Sequence, residues 1–376
     1  MALQSQSGTR QNGTALEAAI VADDLTGALD SAAPFATRGM RTVVAMDVAG
    51  IDEALDSQPA PSVVAVSTAS RDIAPEAAAE RVTQACARLQ RAEPAIFLKK
   101  IDSRLKGNVE AETRAMLAAL GRSRAIVAPA VPELGRVVAA GRVRGRGVAS
   151  DIAIGERFGP LQSVLDIPDT EDEAAMAFIA SRCLASAGHT LAVGARGLTT
   201  ALAYSFIEDG GEPLRPFAPV TPAIIAIGSR DPITLAQVER LREAVPGLAV
   251  TEAPDGVSAA PASDAPVQLL LCTVAQRARP APEHEVAARF GQTVATRISA
   301  SGARMLVVSG GDTAAASLRA LGVRHIRVEG EVEPGMPWSS ASAPGLPAMI
   351  VVTKSGGFGG PDALLSAIGY REMSFV

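Results

Sequence analysis

Two segments of this chain place a glycine loop directly after a short β-branched run, and this arrangement constrains the fold most strongly. The runs are residues 305–308 and 351–354, and the loops read Ser309-Gly310-Gly311-Asp312-Thr313 and Ser355-Gly356-Gly357. Strand, glycine loop and helix is how α/β proteins hold phosphate, because consecutive amides can turn toward one anion beside a helix N-terminus. Either loop alone would fit an ordinary βα turn. Two such loops, each with a polar residue placed to cap a helix, favour phosphate.

Short apolar strands alternate with helix-like stretches along the rest of the chain. We predict strands at 17–22, 41–45, 62–67, 96–100, 124–128, 191–193, 223–227 and 267–272. We predict helices at 26–37, 75–91, 109–120, 172–187, 233–244, 284–299, 314–321 and from residue 361 onward. Hydrophobic residues make up 48% of the chain and aromatic residues only 3%, so small aliphatic side chains must build the core. Such a core suits buried parallel strands.

The predicted fold class is α/β, with two domains, each a mostly parallel sheet flanked by helices. The active site is expected in the cleft between the domains. A length of 376 residues is enough for two domains, and the Gly- and Pro-rich residues 208–222 mark the boundary. We therefore assign residues 1–15 to a disordered tail, 16–215 to an N-terminal domain and 216–376 to a C-terminal domain.

Charge and rare residues argue against several classes of protein. The net charge of −5 argues against a nucleic-acid partner held by bulk charge. Three isolated cysteines indicate reduced thiols in a cytoplasmic protein. The three histidines lie far apart in sequence, which argues against a zinc site or a His-based triad, and no dedicated metal site is predicted. No run of about 18 apolar residues occurs, so we predict no membrane partner.

Polar and basic residues follow the predicted strands of the N-terminal domain, where ligands bind in open α/β sheets. Asp23 and Asp24 follow the first strand, and since one Asp would suffice to cap the next helix, the pair favours function. Residues 99–108 combine cations with Asp and Asn, which is typical of a site for a small polyhydroxy acid. The candidate substrate-binding residues are Asp23, Ser70, Arg71, Lys100, Asp102, Arg104 and Arg136.

In their order and spacing, these motifs resemble one family, the four-carbon acid sugar kinases. These are bacterial ATP-dependent kinases for tetronates, 3-oxo-tetronates and related sugar acids. The matching residues are 22–28, 70–71, 99–108, 128–136 with Gly141, 228–229 with Thr234 and Gln237, 310–313, 334–337, and 354–359 with Asp362. The resemblance implies that the N-terminal domain binds the sugar acid and the C-terminal domain binds ATP. The candidate nucleotide-binding residues are Ser229, Gly310, Gly311, Asp312, Thr313, Lys354, Gly356 and Gly357.

Two departures from the family pattern fall on the substrate side. The family usually reads Asp-Ser-Thr-Leu-Arg-Gly, whereas this chain has Arg104 and Lys106 at the third and fifth positions. The usual Asp-Pro-x-x-Pro run is replaced by residues 152–160. These changes leave open which sugar acid is used, its stereochemistry and whether it carries a keto group.

The implied reaction is transfer of the ATP γ-phosphoryl group to a terminal hydroxyl of the sugar acid, which requires positioning, charge neutralisation and one proton acceptor. Asp24 is the candidate base and Asp23 would orient a hydroxyl, although these roles could be exchanged, and Asp102 is the next candidate. Lys100, Arg104 and Arg136 would hold the carboxylate. Mg²⁺ would arrive with ATP and keep much of its water, so a protein cage is not required.

Two alternatives from other classes are weaker. An NAD-dependent hydroxy-acid dehydrogenase would need a Gly-x-Gly-x-x-Gly loop and a catalytic His, and the glycines of residues 141–147 lack that spacing. A sugar-acid-binding regulator would explain the basic residues but not the glycine loops, including a third one at Gly228-Ser229. A homodimer is left open.

Overall fold

The computed structural model describes residues 16–206, 214–261, 263–275 and 281–370. The predicted tail at 1–15 and part of the predicted boundary segment lie outside these residues. The strands are β1 (Ala18–Ala22), β2 (Thr42–Ala45), β3 (Val63–Ser67), β4 (Ile96–Lys100), β5 (Arg124–Ala128), β6 (Arg136–Ala139), β7 (Arg142–Gly145), β8 (Ile152–Ala153), β9 (Leu165–Asp166), β10 (Thr190–Gly194), β11 (Ala223–Ile227), β12 (Ala249–Pro254), β13 (Val267–Thr273), β14 (Met305–Ser309), β15 (His325–Glu333), β16 (Met336–Ala343) and β17 (Leu346–Lys354).

The α-helices are α1 (Leu25–Ala36), α2 (Ile51–Leu55), α3 (Pro75–Leu89), α4 (Val109–Leu120), α5 (Ile154–Phe158), α6 (Glu173–Ala185), α7 (Arg196–Phe206), α8 (Pro232–Ala244), α9 (Glu283–Ser301), α10 (Gly311–Ala320) and α11 (Ala363–Ala367). The helix predicted from residue 361 is therefore a short one of five residues. None of the helices in the described part of the chain has the length and apolar character needed to cross a membrane.

Fourteen strands of the described chain form one continuous sheet, in the order β12-β13-β11-β14-β17-β16-β15-β2-β3-β1-β4-β10-β5-β9. In this order, all neighbours in the block β2-β3-β1-β4-β10-β5-β9 are parallel. All neighbours in the block β12-β13-β11-β14-β17 are parallel as well. These two parallel blocks confirm the predicted α/β class. The antiparallel strands β15 and β16 join the blocks edge to edge, which the sequence analysis did not predict.

Each parallel block contains a point where successive crossover connections run in opposite directions. In the N-terminal block, β1 lies between β3 and β4, and in the C-terminal block, β11 lies between β13 and β14. Ligands of open α/β sheets bind in the crevice at such switch points, outside the carboxyl ends of the strands. The topology therefore marks the loops after β1 and β4, and those after β11 and β14, as the places to look for a site.

The carboxyl ends of the strands are level within each block. Residues Ser67, Ala22, Lys100 and Gly194 occupy one register position in neighbouring strands. In the other block, Ile227, Ser309 and Lys354 are level in the same way. Six strand-to-strand steps separate β1 from β14, and at about 20–25° of twist per step the sheet turns by roughly 120–150°. This twist allows blocks that run in opposite directions to present their carboxyl ends to one cleft.

Helix α1 lies between the two blocks. Ten of its twelve residues are buried, as expected for a helix that is packed on several sides. It packs on β2 and β3 in the N-terminal block and on β15 and α10 in the C-terminal part. The N-terminus of α1 is therefore fixed at the junction of the halves.

Candidate active site

A cleft of about 1410 Å³ lies between the two halves of the described chain. Twelve of the predicted site residues line it, namely Asp23, Asp24, Arg71, Lys100, Asp102, Arg104, Arg136, Ser229, Gly311, Asp312, Gly356 and Gly357. Four do not, and these are Ser70, Gly310, Thr313 and Lys354. This arrangement agrees with the prediction of a single cleft shared by both halves. The last four residues do not line the cleft, although the sequence suggested them as ligand contacts.

Asp24 is the N-cap of α1. Its Oδ1 accepts a hydrogen bond from the Gly27 amide at 2.6 Å, and its Oδ2 accepts one from the Thr26 hydroxyl at 3.1 Å. Oδ2 also lies 2.5 Å from Nη1 of Arg71. Burial, together with the charge of Asp23, raises the pKa of Asp24 above the ordinary Asp value despite the nearby cations. Asp24 therefore caps α1, the alternative role that the sequence suggested, and it also lines the cleft.

Asp23 has a different environment, although it is the adjacent residue. Its carboxylate forms a bidentate pair with Arg71, with Nε at 2.8 Å and Nη2 at 2.9 Å. Burial opposes ionisation, but the charge and hydrogen bond of Arg71, with Lys99 and Lys100, outweigh it and lower the pKa of Asp23. Two neighbouring carboxyl groups with pKa values pushed apart are suited to different roles.

Ser70 faces the protein interior rather than the cleft. Its hydroxyl donates to Glu112 at 2.5 Å and contacts Thr68 Oγ1 at 2.6 Å. Glu112 in turn pairs with the fully buried Lys99 at 2.8 Å. The Ser70 hydroxyl therefore fixes the loop that carries Arg71, whereas the sequence suggested it as a substrate contact.

The loop after β4 is ordered by its own side chains. Asp102 Oδ2 accepts hydrogen bonds from the amides of Arg104 at 2.9 Å and Lys106 at 3.4 Å. Asn108 donates to the carbonyls of Ser70 and Ile73 at 2.8 and 2.9 Å. The structure thus uses both groups to shape the loop, whereas the sequence suggested them as partners for substrate hydroxyls.

A basic cluster forms one part of the cleft wall. It comprises Arg104, Lys106, Arg136 and Arg146. Arg136 donates to Ser103 Oγ and to the Arg146 carbonyl, the latter at 2.7 Å. Within the described residues, no carboxylate forms an ion pair with any of the four cations. Burial, followed by the charge of Arg104, lowers the pKa of Arg136, so an added anion would relieve this repulsion.

The three glycine loops of the C-terminal half lie side by side because β11, β14 and β17 are neighbours. The amides of Gly228 and Ser229 donate to the Ser309 carbonyl at 3.1 and 3.2 Å, and the Gly310 amide donates to the Lys354 carbonyl at 3.0 Å. Gly310 has φ of 110°, a conformation that favours glycine. A side chain at Gly228 would overlap the hydroxyl of the buried Thr313, so Thr313 packs inside the loop cluster.

The start of α10 meets the start of α1 across the cleft. A Cβ atom at Gly311 would lie 3.1 Å from Thr26 Oγ1 and 3.8 Å from Asp24 Oδ2. Helices α1 and α10 each have at least ten residues, and each carries partial positive charge at its N-terminus. Because the two N-termini meet here, both charges act at the same place. An anion bound in the cleft beside this contact would be next to both the candidate base and the glycine loop.

Arg196 is a cleft residue that the sequence analysis missed. Its guanidinium lies 3.1 Å from Asp30 of α1, 2.7 Å from Glu133 and 2.8 Å from Glu331 of β15. The signal was available, since Arg196 follows Gly194, which ends a strand level with β1 and β4. Helix α7, which it begins, was not predicted. Because Asp30 and Glu133 belong to the N-terminal half and Glu331 to the C-terminal half, Arg196 joins the two halves beside the cleft.

The described residues hold no group of three or more His, Cys, Asp or Glu side chains that could bind a metal ion on its own. Single carboxylates do face the cleft from both halves, such as Asp24 and Asp312. These are hard oxygen donors of the kind that Mg²⁺ accepts beside phosphate oxygens. The residues therefore fit a Mg²⁺ ion whose other ligands come from a bound phosphate and water.

Comparison with protein families gives two matches along this chain. Residues 18–151 match a family described as a sugar-binding N-terminal domain. Residues 224–364 match a family described as a nucleotide-binding C-terminal domain. The matched segments contain the two switch points that line the cleft.

Curated relatives match over nearly the whole chain. A D-threonate kinase of Cupriavidus necator is 32% identical, with 93% of this chain and 96% of the relative covered. A D-threonate kinase of Bordetella bronchiseptica is 31% identical, with 95% and 98% covered. A 3-oxo-tetronate kinase of Cupriavidus necator is 29% identical, with 91% and 94% covered.

Solved structures share the fold. One from Salmonella typhimurium LT2 superposes with a TM-score of 0.74 at 20% identity and covers 94% of this chain and 98% of its own. One from Haemophilus influenzae gives a TM-score of 0.66 at 19% identity, with 94% and 100% covered. At these identities the likeness concerns the arrangement of strands and helices.

Proposed function

Because this chain belongs to the four-carbon acid sugar kinase family, we propose that it transfers the γ-phosphoryl group of ATP to a terminal hydroxyl of a tetronate, a 3-oxo-tetronate or a similar short sugar acid. The observation that carries the proposal is the meeting of the α1 and α10 N-termini across one cleft. The Gly310-Gly311 loop there lies against Asp24 and Thr26. A phosphoryl donor and an acceptor hydroxyl could both reach this point.

ATP is proposed to bind on the C-terminal half. The loops after β14 and β17, with Gly311 and Gly356, offer backbone amides to its phosphates, Ser229 of the loop after β11 offers its hydroxyl, and α10 adds its dipole. Mg²⁺, when bound with ATP, neutralises phosphate charge. Asp312, in the first turn of α10, is placed near that charge. Gly310, Thr313 and Lys354 support these loops from within.

The sugar acid is proposed to bind on the N-terminal half. Lys100, Arg104 and Arg136 supply positive charge for its carboxylate. Asp23, held ionised by Arg71, accepts a hydrogen bond from a substrate hydroxyl and orients it. Asp24 takes the proton of the terminal hydroxyl while that oxygen bonds to the γ-phosphorus and the bond to ADP breaks. Phosphoryl transfer of this kind depends mainly on positioning and electrostatics.

We also propose that residues 16–215 form the domain that binds the sugar acid and residues 216–376 the domain that binds the nucleotide. Calorimetric titration with ATP and with sugar acids tests whether each ligand binds alone. The proposal predicts that each does, at separate sites of one cleft. Binding of a sugar acid without any binding of ATP would instead support a regulator. The cytoplasmic location and the homodimer stay predictions.

Replacing Gly356 by Val is expected to weaken ATP binding at least tenfold, about 1.4 kcal/mol. A Cβ atom at this position would overlap Ser229 Oγ and approach Asp231, so the two loops would be pushed apart beside the phosphates. The matched control is Gly188→Val, where the nearest atom to an added Cβ is 3.8 Å away in Arg122. Unchanged ATP affinity in Gly356→Val, measured by calorimetry, would remove this loop from the nucleotide site.

Replacing Arg104 by Ala is expected to weaken sugar-acid binding about tenfold and to leave ATP affinity unchanged. Arg104 belongs to the basic cluster and has no carboxylate partner within the described chain, so its charge is available to the substrate. Arg114→Ala is the control, because Arg114 pairs with Glu110 on the outer surface of α4. A loss of ATP affinity in Arg104→Ala would show that the ligands are assigned to the wrong halves.

A further inference from the structure

The loop at residues 355–360 encloses the buried side chain of Lys354. This ammonium group is 0% exposed and lies 2.9 Å from Thr234 Oγ1. It also donates to the carbonyl oxygens of Ser355, Gly356 and Phe358, each at 3.1 Å. Lys354 therefore does not reach the cleft, and its charge is directed at the inner side of the loop.

A second buried donor serves the other end of the same loop. Gln237 of α8 is 1% exposed. Its Nε2 donates to the carbonyls of Phe358 and Gly359 at 3.2 Å and of Gly360 at 2.7 Å. Lys354 and Gln237 together bind every carbonyl of the loop except that of Gly357.

This inward orientation of the carbonyls decides where the amides point. In a trans peptide unit, the N–H is directed opposite to the preceding C=O. The amides of Gly356, Gly357 and Gly359 follow carbonyls that are held inward, and no acceptor in the described chain hydrogen bonds to them. The Gly360 amide differs, because it donates to Glu333 at 3.2 Å. Residues 355–360 all line the cleft, so the three free amides form an anion-binding surface on its side.

We propose that Lys354 and Gln237 are positioning residues that hold this loop with its amides toward the cleft, and that ATP affinity depends on the protonated ammonium of Lys354. The inference rests on the proposed function, since it takes the bound anion to be the phosphate chain of ATP. It assigns Lys354 an indirect role in place of the direct nucleotide contact suggested by the sequence.

The dependence on protonation has a defined direction. Burial lowers the pKa of Lys354 to about 8, although the charge of Asp231 opposes this shift. Asp231 precedes α8, Glu333 of β15 accepts a hydrogen bond from the loop at Gly360, and Thr234 and Ser309, which lie beside the ammonium, are uncharged. Below about pH 8 the ammonium is charged and binds the carbonyls. Above it, one donor and the positive charge are lost, so ATP affinity should fall as the pH rises.

The test is calorimetric titration of the full chain with ATP at pH 7 and pH 9. Phosphate groups have their second pKa near 6, so the charge of ATP changes little over this range. For the wild type we expect the Kd to rise about tenfold. Lys354→Met should bind ATP about tenfold more weakly at pH 7 and change less than twofold by pH 9. Its Kd for the sugar acid should stay within twofold of the wild-type value.

Gln237→Leu is the matched variant. It removes the donor at the other end of the loop and also a buried Oε1 atom that has no hydrogen-bond partner among the described residues, so the fold should tolerate it. We expect weaker ATP binding that keeps the wild-type dependence on pH. Near wild-type affinity in a folded Lys354→Met, or in Gln237→Leu if the first variant does not fold, would overturn the proposal. So would a flat wild-type pH series. Complete lack of ATP binding by the wild type would instead contradict the proposed function.

Discussion

Replacing Asp24 by Asn is expected to lower kcat by about 10²-fold or more while KM for both substrates changes little. This is the usual range for loss of a general base, which acts only as the transition state forms. Asn is also a good N-cap residue, so the hydrogen bond to the Gly27 amide is preserved and α1 should stay stable. The variant therefore separates catalysis from capping.

The pKa of Asp24 gives this prediction a pH dependence. Burial raises the pKa of Asp24, whereas Arg71 keeps the pKa of Asp23 low. A base must be unprotonated to accept the proton, so kcat should fall on the acid side, around a pH above the ordinary Asp value. Asp23→Asn should instead raise KM for the sugar acid, because it removes an acceptor used in ground state and transition state alike.

Both Asp variants are to be measured for kcat, KM and melting temperature. If Asp24 only capped α1, Asp24→Asn would show near-normal kinetics at every pH. That result would eliminate Asp24 as the base, and Asp102 would be tested next. Asp102 already hydrogen bonds to two backbone amides of its own loop, so its loss would also disturb the loop.

Replacing Arg196 by Met is expected to lower the free energy of unfolding by about 3–5 kcal/mol, the usual effect of removing one partner from a buried ion pair. Arg196 is 6% exposed and is shared by Asp30, Glu133 and Glu331. Its removal leaves three carboxylates close together without a cation. Because Glu331 belongs to β15 and Asp30 to α1, the substitution should weaken the packing at the junction between the halves.

Urea unfolding measures this effect against a surface control. Arg182→Met removes the partner of Asp166 at a half-exposed position, where an ion pair contributes about 0–1 kcal/mol. In Arg196→Met/Glu331→Leu, part of the stability should return because one uncompensated charge is also removed. Equal losses of stability in Arg196→Met and Arg182→Met would contradict the role of Arg196 in joining the halves.

Local patterns predicted the inner strands of the parallel blocks because each is a short apolar run with its own boundary signals, whereas the edge strands β12 and β9 were missed because one alternates with polar residues and the other has two residues. Strands β4, β5 and β11 have the predicted bounds. Strands β15 and β16 were missed because Pro337, several serines and Gly330 interrupt their apolar pattern. Their pairing is with each other, with β17 and with β2, so tertiary contacts rather than local propensity determine them.

The site could be predicted to the level of loops but not to the level of side-chain direction. Position after a strand correctly indicated the loops that line the cleft. It could not show that Ser70, Thr313 and Lys354 point inward, because that depends on partners distant in sequence, which are Glu112, Gly228 and Thr234. A buried lysine that binds loop carbonyls looks the same in sequence as one that reaches a phosphate.

The most direct test of the proposed reaction is product analysis after incubation with ATP, Mg²⁺ and single four-carbon sugar acids. The panel comprises D-threonate, D-erythronate and 3-oxo-tetronates, with ADP release followed in a coupled assay and the product examined by ³¹P NMR. We predict that at least one acid gives ADP and a phosphorylated sugar acid in equal amounts, at a rate that Asp24→Asn lowers about 10²-fold or more. ADP release no faster than without any acid, in protein that binds both ligands by calorimetry, would contradict the assignment as a four-carbon sugar acid kinase.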